Sequence, residues 1–289
     1  MPKNKFADIT IHPSSAKLSA GNFNVKKSAW HKGDVNYFPA KKEQFADLDA
    51  LAKEFVFKGY GPDTPMFDNS DTVVTMGSCF ADRLRSWLNA NGKGTSTDAY
   101  WYDNDKTLGA FQWQPDQEQQ KLLQHFKEVS AVVVTFGLGE VWKDVETNNV
   151  FWRGVPAKSY NPAKHKCVSS TVQENVDNMK RIVELIKTYA GADKTVIFTL
   201  SPVPLNATFS DRPTIVSDCV SKSILRVSLD QFFNENKHNN IHYWPSFEMV
   251  RWVGAHTDIP TLFEDNTTRH VNNDIVKIII ENFVAKFFK

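Results

Sequence analysis

The chain has 289 residues, 41% hydrophobic and 23% charged, with 34 Lys and Arg against 33 Asp and Glu. That hydrophobic share supplies a sizeable core and excludes global disorder. The near-zero charge removes the electrostatic footprint of nucleic-acid binding, and no apolar run reaches the roughly 18 residues of a membrane span. The length exceeds the usual domain mode of about 100–150 residues, so one large α/β domain, or a domain with an appendage, is expected. Cys79, Cys167 and Cys219 stand far apart without C-x-x-C spacing, which argues against a disulfide framework or structural zinc. The first residues, MPKNKFADITIHPSS, lack the apolar stretch of a secretory signal. A reducing cytoplasm is the expected setting.

Residues 1 to about 70 show weak periodicity, scattered aromatics (Phe23, Trp30, Tyr37, Phe38) and turn residues. Helix is expected there only around Glu43–Phe57, where Phe45, Leu48, Leu51 and Phe55 repeat at three or four. This stretch reads as an irregular N-terminal wrap on the main domain. Order then begins with Thr72–Met76, which ends at Gly77 and leads into helical spacing over Phe80–Leu88. Three more apolar runs follow: Ala131–Phe136 stops at Gly137, Thr195–Leu200 at Ser201-Pro202, and Ile241–Trp244 at Pro245. Continuous apolar strands of this kind belong to parallel sheets covered on both faces. Helical patterns over Val172–Tyr189, Ile215–Asn236 and Val271–Phe287 alternate with them, so an open, doubly wound sheet is expected. Ligands in such sheets bind beyond the carboxyl ends of the strands. The longer connection Trp142–Lys166 is either an active-site loop or surface decoration.

The sharpest local feature is Met76-Gly77-Ser78-Cys79-Phe80-Ala81 at a strand-to-helix junction. A serine here is either an N-cap or a nucleophile whose own amide also stabilises an oxyanion. Cys79 behaves more as a small hydrophobe tucked toward the sheet than as a nucleophile. The serine needs a base, and His270 is the best placed, just before the last helix, with Asp265 or Glu264 near enough in sequence to orient it. His125, His165, His238 and His256 have no better neighbours, and His242 alternates within a strand. Gly137-Leu138-Gly139-Glu140 ends a strand, and its glycines permit close backbone approach to a ligand. Glu140 is either a site carboxylate or a first-turn helix acid. Trp101, Trp113, Trp142 and Trp152 are either sugar-stacking or core and interface residues. No metal-binding H-E-x-x-H, P-loop, G-x-G-x-x-G or G-x-S-x-G occurs.

These segments resemble the GSCFA family, whose name is spelled by Gly77-Ser78-Cys79-Phe80-Ala81. The resemblance continues through Thr135–Trp142, Ser201–Thr208, Val220–Arg226, Tyr243–Glu248 and Arg269-His270-Val271. It covers the chain from about residue 65 onward and sets the expected division: an N-terminal extension over 1–68 and the family domain over 69–289. GSCFA proteins are grouped with the SGNH (GDSL-like) hydrolases. The resemblance therefore implies a flavodoxin-like three-layer α/β/α sandwich with a mostly parallel sheet. It also implies a catalytic set of Ser78, His270 and Asp265, with Gly77, Cys79, Gly137, Gly139, Glu140 and Ser201 around the oxyanion and substrate. The implied reaction is ester hydrolysis or O-acyl transfer, often of acetyl groups on carbohydrates, with no metal or bound cofactor and an acyl donor only for a transferase. Two departures stand out. The wider group has its aspartate three residues before the histidine, where this chain has Thr267, and its third-block asparagine is replaced near Gly139 and Glu140. A non-catalytic glycan-binding or assembly protein that keeps the fold is the alternative these departures motivate.

Overall fold

A computed structural model describes residues 36–93, 124, 126–151, 154–235 and 240–289. Contacts divide the chain into two compact units, 1–40 and 41–289, and the elements named here lie in the second. In chain order they are α1 (Leu48–Phe55), β1 (Val73–Met76), α2 (Cys79–Ala90), β2 (Ala131–Phe136), β3 (Glu140–Asp144), β4 (Val150–Phe151) and β5 (His165–Ser169). Then follow α3 (Val172–Tyr189), β6 (Thr195–Leu200), α4 (Thr214–Glu235), β7 (Ile241–Trp244), α5 (Ser246–Arg251) and α6 (Asn273–Phe287).

The four apolar runs pair in parallel in the order β1-β2-β6-β7. Alternation along each strand sends one set of side chains to each face. Val73, Val133, Ile197 and Trp244 meet α1, α2 and α6, through residues such as Leu48, Leu84, Ile275 and Phe283. Val74, Val132, Phe198 and Tyr243 meet α3 and α4, through Met179, Val183, Leu225 and Phe232. With both faces covered, all six residues of β6 are buried, which is why TVIFTL carries no polar alternation beyond its threonines.

The steps β2 to β6 and β6 to β7 each move one strand over, and their helices α3 and α4 share a face, as right-handed crossovers require. A direct right-handed step from β1 to β2 would put α2 on that face too. It stands on the other one, while Phe126, just before β2, packs with α3 and α4. Helix α2, which follows the carboxyl end of β1, thus covers the face opposite to α3 and α4.

Several elements differ from the sequence reading for local reasons. The helix expected over 43–57 breaks into a 3₁₀ turn, Lys42–Ala46, and α1. Asp47 takes an extended conformation between them and caps α1 by accepting from Ala50 N at 3.0 Å. Leu48, Leu51, Ala52, Phe57 and Phe67 are part of the core, so much of the stretch before β1 is integral to the second unit. The connection Trp142–Lys166 is not one irregular stretch. It folds as a three-stranded antiparallel sheet, β4-β3-β5. Asp144 Oδ1 accepts from the amides of Glu146 and Thr147 and turns the chain, with Asn148 in the left-handed region. Helix α6 starts at Asn273 rather than Val271, because Val271 bridges to Leu262 and Asn272 caps the helix through Asp274 N. Among the described residues no helix is long and apolar enough to cross a membrane.

Helix α3 is fixed at its start by a capping box: Glu174 N donates to Thr171 Oγ1 and Thr171 N to Glu174 Oε2. Lys143 Nζ of β3 adds an ion pair to Glu174 at 2.5 Å, and these partners hold its carboxyl down at about 2. A carboxylate with a lowered folded pKa stabilises the fold above its ordinary value of 4.5 and stops doing so as the pH falls toward 2. Thr171→Ala should cost about 1 kcal/mol in urea unfolding at neutral pH. The stability advantage of the wild type over Glu174→Gln should vanish across that acid window.

Candidate active site

Ser78 stands just past the carboxyl end of β1. It adopts an extended conformation (φ −84°, ψ 176°) at the N-cap of α2, and its Oγ accepts from Phe80 N at 3.3 Å, a long contact. The cap and nucleophile readings therefore share one side chain. The residue before it makes the turn possible. Gly77 has φ +119°, and a Cβ there would lie 2.1 Å from Thr135 O. Only glycine lets the end of β1 pass this close to β2. Thr75 Oγ1 then donates to Ala81 O at 2.9 Å and locks the first turn of α2 to the strand.

Across from Ser78 lies Gly137, at which an added Cβ would meet Ser78 Cβ at 3.8 Å. Gly139 is held differently. Its amide donates to Ser221 Oγ at 2.7 Å, and its carbonyl accepts from both Ser170 N and Ser170 Oγ. A side chain at 139 would run into Ser221, whose Oγ lies 3.0 Å from that Cβ position. The Gly139 amide, expected at the oxyanion site, is thus already engaged. Glu140 is not a helix acid: it opens β3 and accepts from Thr208 Oγ1 at 2.8 and 3.0 Å. Ser201 is 1% exposed and belongs to the sheet, its amide donating to Phe136 O at 2.7 Å. Cys79 opens α2 and Asp265 lies in the turn Glu264–Asn266, but their side chains fall outside the described set, as do Trp101, Trp113 and Trp152.

His270 ends a constrained loop. Its amide donates to Thr267 Oγ1, and its carbonyl accepts from Glu264 N. Glu264 Oε2 in turn accepts from Asn273 N at 2.9 Å, so that carboxylate holds the start of α6. Thr267, three residues before His270, spends its hydroxyl on the backbone of the turn, donating to Glu264 O and accepting from His270 N. Phe263 (φ 73°) and Asn266 (φ 56°) are both left-handed, a conformation costing of order 1–3 kcal/mol for non-glycine residues. Two contacts tie the loop to the rim. Arg269 Nε donates to Pro204 O at 3.0 Å, and Arg83 of α2 donates to Asn273 Oδ1. The first turns of α2, which follows Ser78 directly, and of α6, which begins three residues after His270, are thereby joined. His165 and His256 lie elsewhere, the first against Phe151 and the second stacked on Phe45.

A residue that carried no role in the sequence reading completes the site. Lys222 of α4 is 2% exposed, and its Nζ donates to Gly137 O at 2.7 Å. Burial lowers its pKa to about 8; Asp218 opposes that shift, and Arg251 and Arg269 reinforce it. Asp218 is itself buried, accepting from Leu205 N and pairing with Arg251 at 2.6 Å. The signal was present in the sequence. Ser217, Asp218, Ser221 and Lys222 share one helical face, continued by Leu225, Leu229 and Phe232. A polar half of an otherwise buried helical face marks where that helix leaves the apolar core.

A separate cleft of about 270 Å³ lies at the outer edge of β7, lined by Tyr60, Arg226, His242 and Tyr243 among others. Its polar groups largely satisfy each other, with Arg226 and Tyr243 both bound to Glu248. Among the described residues no three His, Cys, Asp or Glu side chains group as metal ligands would.

A model of the GSCFA family matches residues 95–283, nearly two thirds of the chain. The match contains Gly137–Glu140, Lys222 and His270 and begins after Ser78, so the pentapeptide is an observation additional to it. A search of curated proteins found no match.

Gly77→Ala should destabilise the fold by at least about 3 kcal/mol, from a forbidden φ and a backbone collision together. Gly137→Ala should leave the urea midpoint nearly unchanged, since its Cβ meets only ordinary contact. For Lys222, a folded pKa near 8 against an ordinary 10.5 means that the unfolded chain holds the extra proton between those values. Stability relative to Lys222→Met should therefore rise as pH climbs through that window, as read by denaturant titration at several pH values.

Proposed function

The chain belongs to the GSCFA family, and from that premise we propose a serine-dependent ester hydrolase or O-acyltransferase of SGNH type with a flavodoxin-like three-layer fold. Its substrate is an acyl ester, foremost an acetyl ester, of a carbohydrate or another small hydroxyl compound. The observation that carries this reading is Ser78 itself: a serine at the N-cap of a helix, at the carboxyl end of a parallel strand, facing a glycine across a space with no intervening side chain at that position. An amide-rich helix start stabilises negative charge where the ester oxygen would develop it.

In this mechanism Ser78 Oγ attacks the ester carbonyl carbon while its proton passes to His270. The carbonyl π electrons move to oxygen, and the resulting oxyanion is met by Ser78 N–H and an amide of the Gly137–Gly139 loop. Collapse breaks the bond to the leaving oxygen, which takes the proton from His270 and departs as the alcohol. Water, or an acceptor hydroxyl in a transferase, then attacks the acyl-enzyme with His270 again as base. Asp265 orients the imidazole. A transferase additionally uses an acyl donor; no bound cofactor enters either version. A reducing, cytoplasmic setting is part of the reading, in keeping with the free thiols of Cys167 and Cys219.

A fluorophosphonate probe should label the wild type and not Ser78→Ala. On a p-nitrophenyl acetyl ester, Ser78→Ala and His270→Ala should each lose about 10⁴-fold or more in kcat. Absence of labelling together with absence of Ser78-dependent turnover would overturn the enzyme reading in favour of a non-catalytic glycan-binding or assembly protein.

A further inference from the structure

Losing the Gly139 amide to Ser221 leaves an oxyanion site one donor short of what acyl transfer from a serine ordinarily uses. The arrangement of Lys222 bears on this gap. Its ammonium approaches the glycine loop from the α3/α4 face of the sheet and takes the carbonyl of Gly137. In a trans peptide, C=O and the following N–H point in opposite directions. The Leu138 N–H therefore points away from α4, toward the opposite face, where α2 and Ser78 lie. Among the described residues that N–H has no hydrogen-bond partner.

We propose that Lys222 is a positioning residue whose grip on Gly137 O sets the 137–138 peptide plane and presents Leu138 N–H as the missing oxyanion donor. The inference rests on the esterase reading of Ser78. The physical logic is twofold. A carbonyl held by a buried cation cannot rotate away, so the amide behind it is preorganised rather than recruited during the reaction. A positive charge on the carbonyl side also polarises the peptide and strengthens its N–H as a donor. The burial of an ammonium that has, among the described residues, one backbone acceptor and no carboxylate at ion-pair distance is costly for the fold alone. A role at the site gives a reason for a lysine under this loop. Arg would reach the same carbonyl with a larger, branched head group, and Met would fill the volume without the charge.

The test compares p-nitrophenyl acetate with its thionoacetate counterpart, whose C=S sulfur is a poor acceptor for an oxyanion site. Full-length wild type and Lys222→Met are assayed on both esters. The expected result is a loss of about 10²-fold in kcat on the oxygen ester, with KM changed less than about threefold and a much smaller loss on the thionoester. The wild-type preference for oxygen over sulfur should therefore collapse. Equal losses on both esters would mean a structural role and overturn the proposal. If Lys222→Met does not fold, the wild type decides the matter. On forming a tetrahedral boronate anion at Ser78, the Leu138 amide proton should move strongly downfield in the NMR spectrum, and an unmoved resonance would overturn the proposal. Wild type without Ser78-dependent turnover would overturn the esterase reading and this inference with it, whereas normal turnover with an unaltered oxygen-to-sulfur preference in Lys222→Met would overturn this inference alone.

Discussion

The close passage of Gly77 over Thr135 is the contact on which the candidate site depends. A Cβ at 77 would fall 2.1 Å from a backbone oxygen of the neighbouring strand, and the φ of +119° is one that side-chain-bearing residues rarely adopt. With no side chain there, the chain leaves β1 by turning directly over the end of β2. Helix α2 starts at once, with Ser78 as its cap and Ala81 O held by the Thr75 hydroxyl. Any wider turn would lift Ser78 off the sheet edge and away from Gly137. The serine's position is thus a consequence of main-chain packing between two parallel strands, not of contacts made by the serine.

The opposite wall of the site is built by α4, whose buried face has two characters. Leu225, Leu229 and Phe232 pack on the sheet, while Ser217, Asp218, Ser221 and Lys222 reach past its carboxyl edge. Each of these polar groups is given a partner: Ser217 takes Ser210, Asp218 takes Leu205 N and Arg251, Ser221 takes Gly139 N, and Lys222 takes Gly137 O. Buried polar groups are tolerable when hydrogen-bonded, and a connected set of them fixes loop geometry more tightly than apolar contact does. The loops after β2 and β6 are consequently both anchored to one helix. On the other face, the loop carrying His270 holds two left-handed residues in place through Glu264, Thr267 and the ties from Arg83 and Arg269. Strain of that kind persists only where surrounding contacts over-determine it.

Much of the architecture could be read from the chain. Four apolar runs ending at glycine, serine-proline or proline, alternating with helical spacing, are enough to require a parallel sheet covered on both faces, because no other arrangement hides strands like AVVVTF. The strand-to-helix junction at Gly77-Ser78 was legible for the same reason, since a glycine between a buried strand and a capped helix marks a tight turn. The antiparallel sheet of β3, β4 and β5 was not. Its strands are short and partly exposed, and their pairing depends on Asp144 and Asn148 turning the chain. The roles of Gly139, Ser201 and Lys222 were equally hidden, because each follows from a partner distant in sequence: Ser221, Phe136 and Gly137.

Sequence alone therefore determined the α/β class, the four strands of the parallel sheet and the glycine turn that leads from β1 into α2. These follow from local periodicity and turn chemistry, which each segment carries within itself. Only the tertiary structure decided which faces the helices take and which backbone groups remain available beside Ser78. Those depend on hydrogen bonds and van der Waals exclusions between segments as far apart as Gly77 and Thr135, or Gly137 and Lys222. No local pattern encodes such a contact, since it exists only once the sheet has brought the two chains of backbone side by side.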